Sequence, residues 1–265
     1  MISKAKIPPK WIVGNWKMHK TIGQAIDFAK EVLPHLQNLE DTLGLAVPAT
    51  CLYALSEVCK ASALKIGAQN VHFEKEGAFT GEISAEMALD AGAQFTLIGH
   101  SERRHIFHET DSFIHKKVLS ALQAKLKVIL CIGETEEEKR KGSTQEVLMR
   151  QLEEGLKGVD KEAMSKVAIA YEPVWAIGTG TAASAEIAQE SHAFCRELIQ
   201  KLHGTAVSQK IKILYGGSVQ AENVENFLKN PDIDGVLVGK GSLASQSFVK
   251  IVNFRGCLQI RNEYI

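Results

Sequence analysis

Val128-Ile129-Leu130-Cys131, the segment Gln145–Leu156 and Val167-Ala168-Ile169-Ala170 follow one another along the chain and set its architecture. The two flanking runs are short, aliphatic and unbroken, the pattern of strands buried on both faces. The segment between them places Leu148, Leu152 and Leu156 four residues apart, the spacing of one helix face. Strand, helix and strand in that order make a unit whose two strands run parallel.

The same unit recurs in both directions. Upstream, strand-like runs fall at Trp11–Val13, Gly44–Val47, Leu64–Ala68 and Phe95–Ile98; downstream they fall at Ile211–Leu214 and Val236–Val238. Between and after them lie helix-patterned stretches at Ile22–Leu36, Leu52–Cys59, Ala85–Ala91, Phe113–Leu122, Ile187–Leu202, Val224–Leu228 and Phe248–Leu258. Ser84 and Ser184 stand where helix caps belong, and Glu222 supplies acid to a first turn. The repeat is about 30 residues, the size of a βα unit. Eight such units suit a single closed (β/α)8 barrel better than an open doubly wound sheet, although periodicity alone fits both. No Pro/Gly/Ser-rich linker divides the chain. The organisation expected is an N-terminal extension over 1–10, one barrel domain over 11–254 and a C-terminal tail over 255–265.

The composition narrows the function. Lys+Arg and Asp+Glu are both 31 in 265 residues, so no bulk basic charge recruits nucleic acid or an acidic membrane. No apolar run approaches the roughly 18 residues of a spanning helix. The N-terminus is basic with no apolar stretch behind it, unlike a secretory signal. The cysteines are five, an odd number, and none form a C-x-x-C pair. These features predict a reduced, cytoplasmic protein without disulfides or structural zinc.

The chemistry-bearing residues share one phase of the repeat. Asn15 and Lys17 follow the first run, Gln69 and Asn70 the third, His100 the fourth, and Cys131 and Glu134 close or follow the fifth. Glu172 follows the sixth, Gly216-Gly217-Ser218 the seventh and Gly239 the eighth. A βα barrel gathers its active site at the carboxyl ends of its strands. Taken singly, Lys17 reads equally as a solvated surface lysine, His100 as a neighbour of a helix cap and Glu172 as a salt-bridge partner. Taken together they form an acid–base set facing one cavity. Glycine turns after two adjacent strands add an anion site of backbone N–H groups, in the phosphate position of this architecture.

Several motifs do not survive their context. Gly178 to Ala183 spells G-x-G-x-x-A, but Glu172–Ile177 separates it from the preceding strand, unlike a dinucleotide fingerprint. It reads instead as a hinged loop, stiffened at Pro173 and freed by small residues. Gly235–Gly241 is one residue short of a Walker loop and has no Ser/Thr after Lys240. His105 and His108 lack the surroundings of a known metal site, and Cys131 reads as a core thiol.

Five ordered blocks closely resemble the triosephosphate isomerase family. They are Gly14-Asn15-Trp16-Lys17-Met18, Gly99-His100-Ser101-Glu102-Arg103-Arg104, Cys131-Ile132-Gly133-Glu134, Tyr171 through Gly180, and Tyr215-Gly216-Gly217-Ser218-Val219. The resemblance spans about residues 10–254. It implies the TIM barrel and interconversion of dihydroxyacetone phosphate with D-glyceraldehyde 3-phosphate through an enediolate, in glycolysis and gluconeogenesis, with no cofactor and no metal. It implies that Glu172 is the base and His100 a neutral electrophile. Lys17 and Asn15 would contact substrate, and Glu102 would support them. Gly178, Ser218, Gly239 and Lys240 would give N–H groups to the phosphate. Pro173, Val174, Trp175, Ala176, Ile177, Gly178, Thr179 and Gly180 would form a lid that protects the enediolate. The family is typically homodimeric, so Met18, Phe79 and Thr80 are the expected interface residues. Phe79, between Gly77 and Gly81, is an apolar tip that a monomer would expose.

Three positions depart from the family pattern. Lys240 stands where a second glycine is usual, Thr181 where a lysine is common at the lid's end, and the tail beyond Phe254 is long. A non-glycine still donates its N–H if its φ is negative, so the phosphate site is expected to survive Lys240.

Overall fold

All eight strand-like runs form strands in the computed structural model, which describes residues 7–37, 39–177 and 183–255. They are β1 (Trp11–Asn15), β2 (Thr42–Val47), β3 (Leu64–Ala68), β4 (Phe95–Ile98), β5 (Lys127–Ile132), β6 (Val167–Tyr171), β7 (Lys212–Tyr215) and β8 (Gly235–Val238). Each is parallel to its neighbours in chain order, and β1 also pairs with β8, with Trp11 opposite Gly235. The sheet therefore closes on itself as a TIM barrel and leaves no open edge.

The outer ring consists of α1 (Ile22–Val32), α2 (Ala49–Cys59), α3 (Ala85–Asp90), α4 (Ser101–His105), α5 (Asp111–Gln123), α6 (Glu136–Arg140), α7 (Thr144–Gly155), α8 (Ala185–His203), α9 (Thr205–Ser208), α10 (Val224–Leu228) and α11 (Ser245–Val252). Ser84 and Ser184 cap α3 and α8 as expected, accepting the Met87 and Ile187 N–H groups. Such caps contribute about 1 kcal/mol each. The periodicity missed α4, α6 and α9, single turns whose sequences Ser-Glu-Arg-Arg-His, Glu-Glu-Glu-Lys-Arg and Thr-Ala-Val-Ser are too short or too polar to carry an apolar stripe. The helix expected over Val224–Leu228 is α10 at the same bounds, but its first-turn acid is Glu225, not Glu222. The last helix ends at Val252, short of the expected Leu258, which lies outside the described residues.

Strand residues alternate between two apolar layers, which explains why the runs are continuous. On β5, Ile129 and Cys131 point into the barrel with Val13, Phe95, Leu97, Leu214 and Leu237. Val128, Leu130 and Ile132 point outward into the larger layer shared with the helices. At the amino-end rim the chain is tied polar to polar. Lys10 Nζ donates to the Ile233 carbonyl at 2.6 Å, and its N–H donates to Asp41 Oδ1 at 2.6 Å. Arg255 donates to the same carboxylate and to the Ile7 carbonyl, each at 2.6 Å. This clamp holds the starts of β1, β2 and β8 together and leaves the opposite rim to chemistry.

Candidate active site

At the carboxyl-end rim β1, β3, β4, β5 and β6 end in or are followed by the candidate side chains Asn15, Gln69, His100, Glu134 and Glu172. Asn15 is the last residue of β1, and its Oδ1 accepts the Lys17 N–H at 3.0 Å. Lys17 sits in the left-handed region at φ 51°, an uncommon backbone for a side-chain-bearing residue. Gln69, just past β3, holds it there: its Nε2 donates to the Lys17 carbonyl at 2.9 Å and to Ala46 at 3.1 Å. Sequence reading placed Gln69 on the rim but gave it no task. Lys17 Nζ meets Glu102 Oε1 at 2.6 Å, at a half-open position.

His100 caps the one-turn helix α4. Its Nδ1 accepts the Glu102 N–H at 3.3 Å, so this nitrogen carries no proton and the ring hydrogen is assigned to Nε2. That Nε2 lies 3.2 Å from Glu172 Oε1. The other carboxylate oxygen of Glu172 accepts the Ser101 N–H at 3.0 Å. Glu172 is 2 % exposed and follows β6 directly. Its main chain hangs on the end of β5: its N–H donates to the Ile132 carbonyl at 2.7 Å, and the Val174 N–H donates to Glu134 at 3.0 Å. The two strands meet so closely that a Cβ on Gly133 would stand 1.8 Å from the Glu172 carbonyl oxygen. Arg104 joins β4 to β5, donating to the carbonyls of Gly99 at 2.8 Å and Cys131 at 3.1 Å.

Glu134, noted in the sequence for its phase and within the Cys131–Glu134 block, anchors the segment after Glu172. Trp175 Nε1 donates to its Oε1 at 2.8 Å, and the Tyr171 hydroxyl donates to the same carboxylate. Burial raises the pKa of Glu134, and these donors oppose the rise. Lys139 lies over the Trp175 ring, 3.1 Å from its centroid. Of the expected lid, Pro173–Ile177 is described, with a 3-10 turn over Val174–Ala176. Gly178, Thr179, Gly180 and Thr181 lie outside the described residues. At the far end the Ala183 N–H donates to the Tyr215 hydroxyl at 3.2 Å.

Gly239 follows β8 and faces Lys17: a Cβ there would lie 3.9 Å from Lys17 Cε. Ser218 is held in its turn by the Asn223 side-chain amide, which donates to its carbonyl at 3.1 Å. Lys240 is exposed and is absent from the positive-φ positions among the described residues. A cavity of about 340 Å³ joins Asn15, Lys17, His100 and Glu102 to Met18 and Phe107. Glu172, Ser218 and Gly239 do not line it, whereas the exposed apolar side chains of Met18 and Phe107 do. Met18 is 94 % exposed, Phe107 62 % and Phe79 43 %, and Thr80 is exposed beside Phe79. Cys131 is buried inside the barrel, where burial holds its thiol pKa well above the usual value. No helix among the described residues is long and apolar enough to cross a membrane.

Residues 10–255 match the family model of triosephosphate isomerase. The triosephosphate isomerase of Protochlamydia amoebophila is 47% identical over 250 residues, covering 94% of this chain and 95% of its own. That of Dictyoglomus thermophilum is 48% identical over 244 residues, covering 92% and 98%. Among solved structures, triosephosphate isomerase from Bartonella henselae superposes with a TM-score of 0.85 at 35% identity, covering 93% of this chain and 99% of that one. Fold, order of motifs and full-length similarity agree, and the chain belongs to the triosephosphate isomerase family.

Proposed function

We propose that this chain interconverts dihydroxyacetone phosphate and D-glyceraldehyde 3-phosphate, the isomerisation that serves glycolysis and gluconeogenesis, within one catalytic domain over residues 11–254. The observation that carries the reading is the 3.2 Å approach of His100 Nε2 to Glu172 Oε1 beside the Lys17 ammonium. Glu172 takes the carbon-bound proton of the substrate. Negative charge then moves onto the oxygens of the enediolate. His100 answers it with a neutral Nε2–H donor, and Lys17 with a cation. At rest Glu172 is tied to the Ser101 N–H. A substrate oxygen that takes up the His100 Nε2–H frees one side of that anchorage and lets the carboxylate swing to carbon. Glu102 keeps the Lys17 ammonium aimed, and Asn15 orients the substrate. N–H groups of Gly178, Ser218, Gly239 and Lys240 receive the phosphate. Closure of Pro173–Gly180 excludes water and keeps the enediolate from expelling phosphate.

The working unit is a cytoplasmic homodimer, with Met18, Phe79 and Thr80 at the interface. Support comes from the apolar surface around the cavity mouth, which a free monomer leaves wet. The test is to supply glyceraldehyde 3-phosphate with EDTA and no added metal or cofactor, and to follow dihydroxyacetone phosphate through a coupled dehydrogenase. Rapid turnover is expected; none from folded protein overturns the reading. Glu172→Asp then withdraws the carboxylate by about 1 Å, which should cut kcat about a hundredfold. An unchanged kcat removes Glu172 from the role of base.

A further inference from the structure

The core face of α7 is apolar except at one position. Val147, Leu148 and Leu152 are buried there, and so is Gln151, at 3 % exposure. A primary amide in such a place costs stability unless its atoms are bonded. Both bond a single residue. Gln151 Oε1 accepts the Gly133 N–H at 2.7 Å, and Gln151 Nε2 donates to the Gly133 carbonyl at 3.3 Å. Gly133 follows the last residue of β5. The carbonyl on one side of it, Ile132, accepts the Glu172 N–H, and the one on the other side, Glu134, accepts the Val174 N–H. Across from Gly133 itself is the Glu172 carbonyl, close enough to forbid any side chain.

We propose that Gln151 is a positioning residue for the isomerisation: by holding both main-chain groups of Gly133 it fixes the surface against which the Glu172 backbone is seated. The inference rests on the reading of Glu172 as the base. Gln151 touches no substrate. Its amide sets where the carboxylate stands relative to the reacting carbon, and small errors there are costly.

The test compares Gln151→Met with Gln151→Glu. Methionine keeps the volume and loses both bonds. Glutamate keeps an acceptor for the Gly133 N–H. Gln151→Met should lose about ten- to hundredfold in kcat with KM near the parent value, and Gln151→Glu should recover most of that loss. Leu152→Ala, a core truncation on the same helix, should lower the melting temperature and leave kcat within about twofold. Combined with Glu172→Asp, the loss from Gln151→Met should fall short of the product of the two single losses, because both act through one carboxylate. If Gln151→Met does not fold, Gln151→Asn carries the test, since it is one methylene too short to reach Gly133. Parent-like kcat in either folded variant, or strictly multiplicative losses, overturns the inference. Failure of the underlying reading looks different: there Glu172→Asp alone retains full kcat.

Discussion

Gly133→Ala tests whether the end of β5 seats Glu172, the proposed base. The added methyl would stand 1.8 Å from the Glu172 carbonyl oxygen, where ordinary contact begins at 3.4 Å. One of the two segments must give by about 1.6 Å, a distance a close-packed interior does not absorb locally. If β5 gives, the Gln151 bonds to Gly133 break; if β6 gives, the 2.7 Å bond from the Glu172 N–H to Ile132 breaks. Overpacking costs about 1–3 kcal/mol and a lost main-chain bond about 1 kcal/mol, so stability should fall by about 2–4 kcal/mol. Catalysis should suffer separately. A misplacement of about 1 Å costs roughly a hundredfold, so kcat/KM should drop at least that far, about 2.7 kcal/mol of transition-state stabilisation. Denaturant unfolding measures the first loss and the coupled isomerase assay the second. A folded Gly133→Ala enzyme with kcat/KM within about threefold of the parent refutes the reasoning. Gly23→Ala, on α1 and away from the site, is the matched control, because its methyl would meet nothing within 4 Å.

Three further outcomes are expected. His192 is fully buried and burial depresses its pKa to about 4 from 6.5, so the folded state holds the ring neutral while the unfolded chain protonates it. Stability should therefore fall as pH drops from 6.5 toward 4, by up to about 3 kcal/mol. His192→Gln should flatten that slope in denaturant titrations; an identical slope counts against the assignment. Lys240→Gly should leave KM for glyceraldehyde 3-phosphate within about twofold, because Lys240 is not held at positive φ and its N–H serves as a glycine's would; a large rise in KM would assign the side chain a task. Phe79→Glu places charge on a residue 43 % exposed at an apolar tip, and sedimentation should show a weakened dimer with reduced activity; a fully active monomer contradicts the need for pairing.

The barrel was readable because each strand is buried on both faces, which writes an unbroken aliphatic run into the sequence at every repeat. The candidate site residues carry a related signature: Asn15, His100, Glu172 and Gly239 all occupy the same phase at the end of such a run. What supports them was not readable. Gln69 steadies Lys17, and Gln151 binds Gly133 from 18 residues away. Contacts of this kind join elements that are distant in sequence and use residue types common on any surface. The short helices α4 and α6 escaped for a different cause. A single polar turn has no periodicity, and α4 takes its place from the His100 cap and from Arg104 rather than from burial of a stripe.

The pairing of Trp11 with Gly235 bears on the birth of the molecule. Synthesis makes β1 first and β8 last of the eight strands, about 220 residues apart, and joining ends over that span costs on the order of 5 kcal/mol of chain entropy. Until β8 emerges, β1 and β7 offer unpaired edges to any strand nearby. The nascent chain therefore spends nearly all of its synthesis as an incomplete arc. Its most hazardous interval is set by the time needed to translate the final βα unit, and slow codons placed just before β8 would lengthen that exposure.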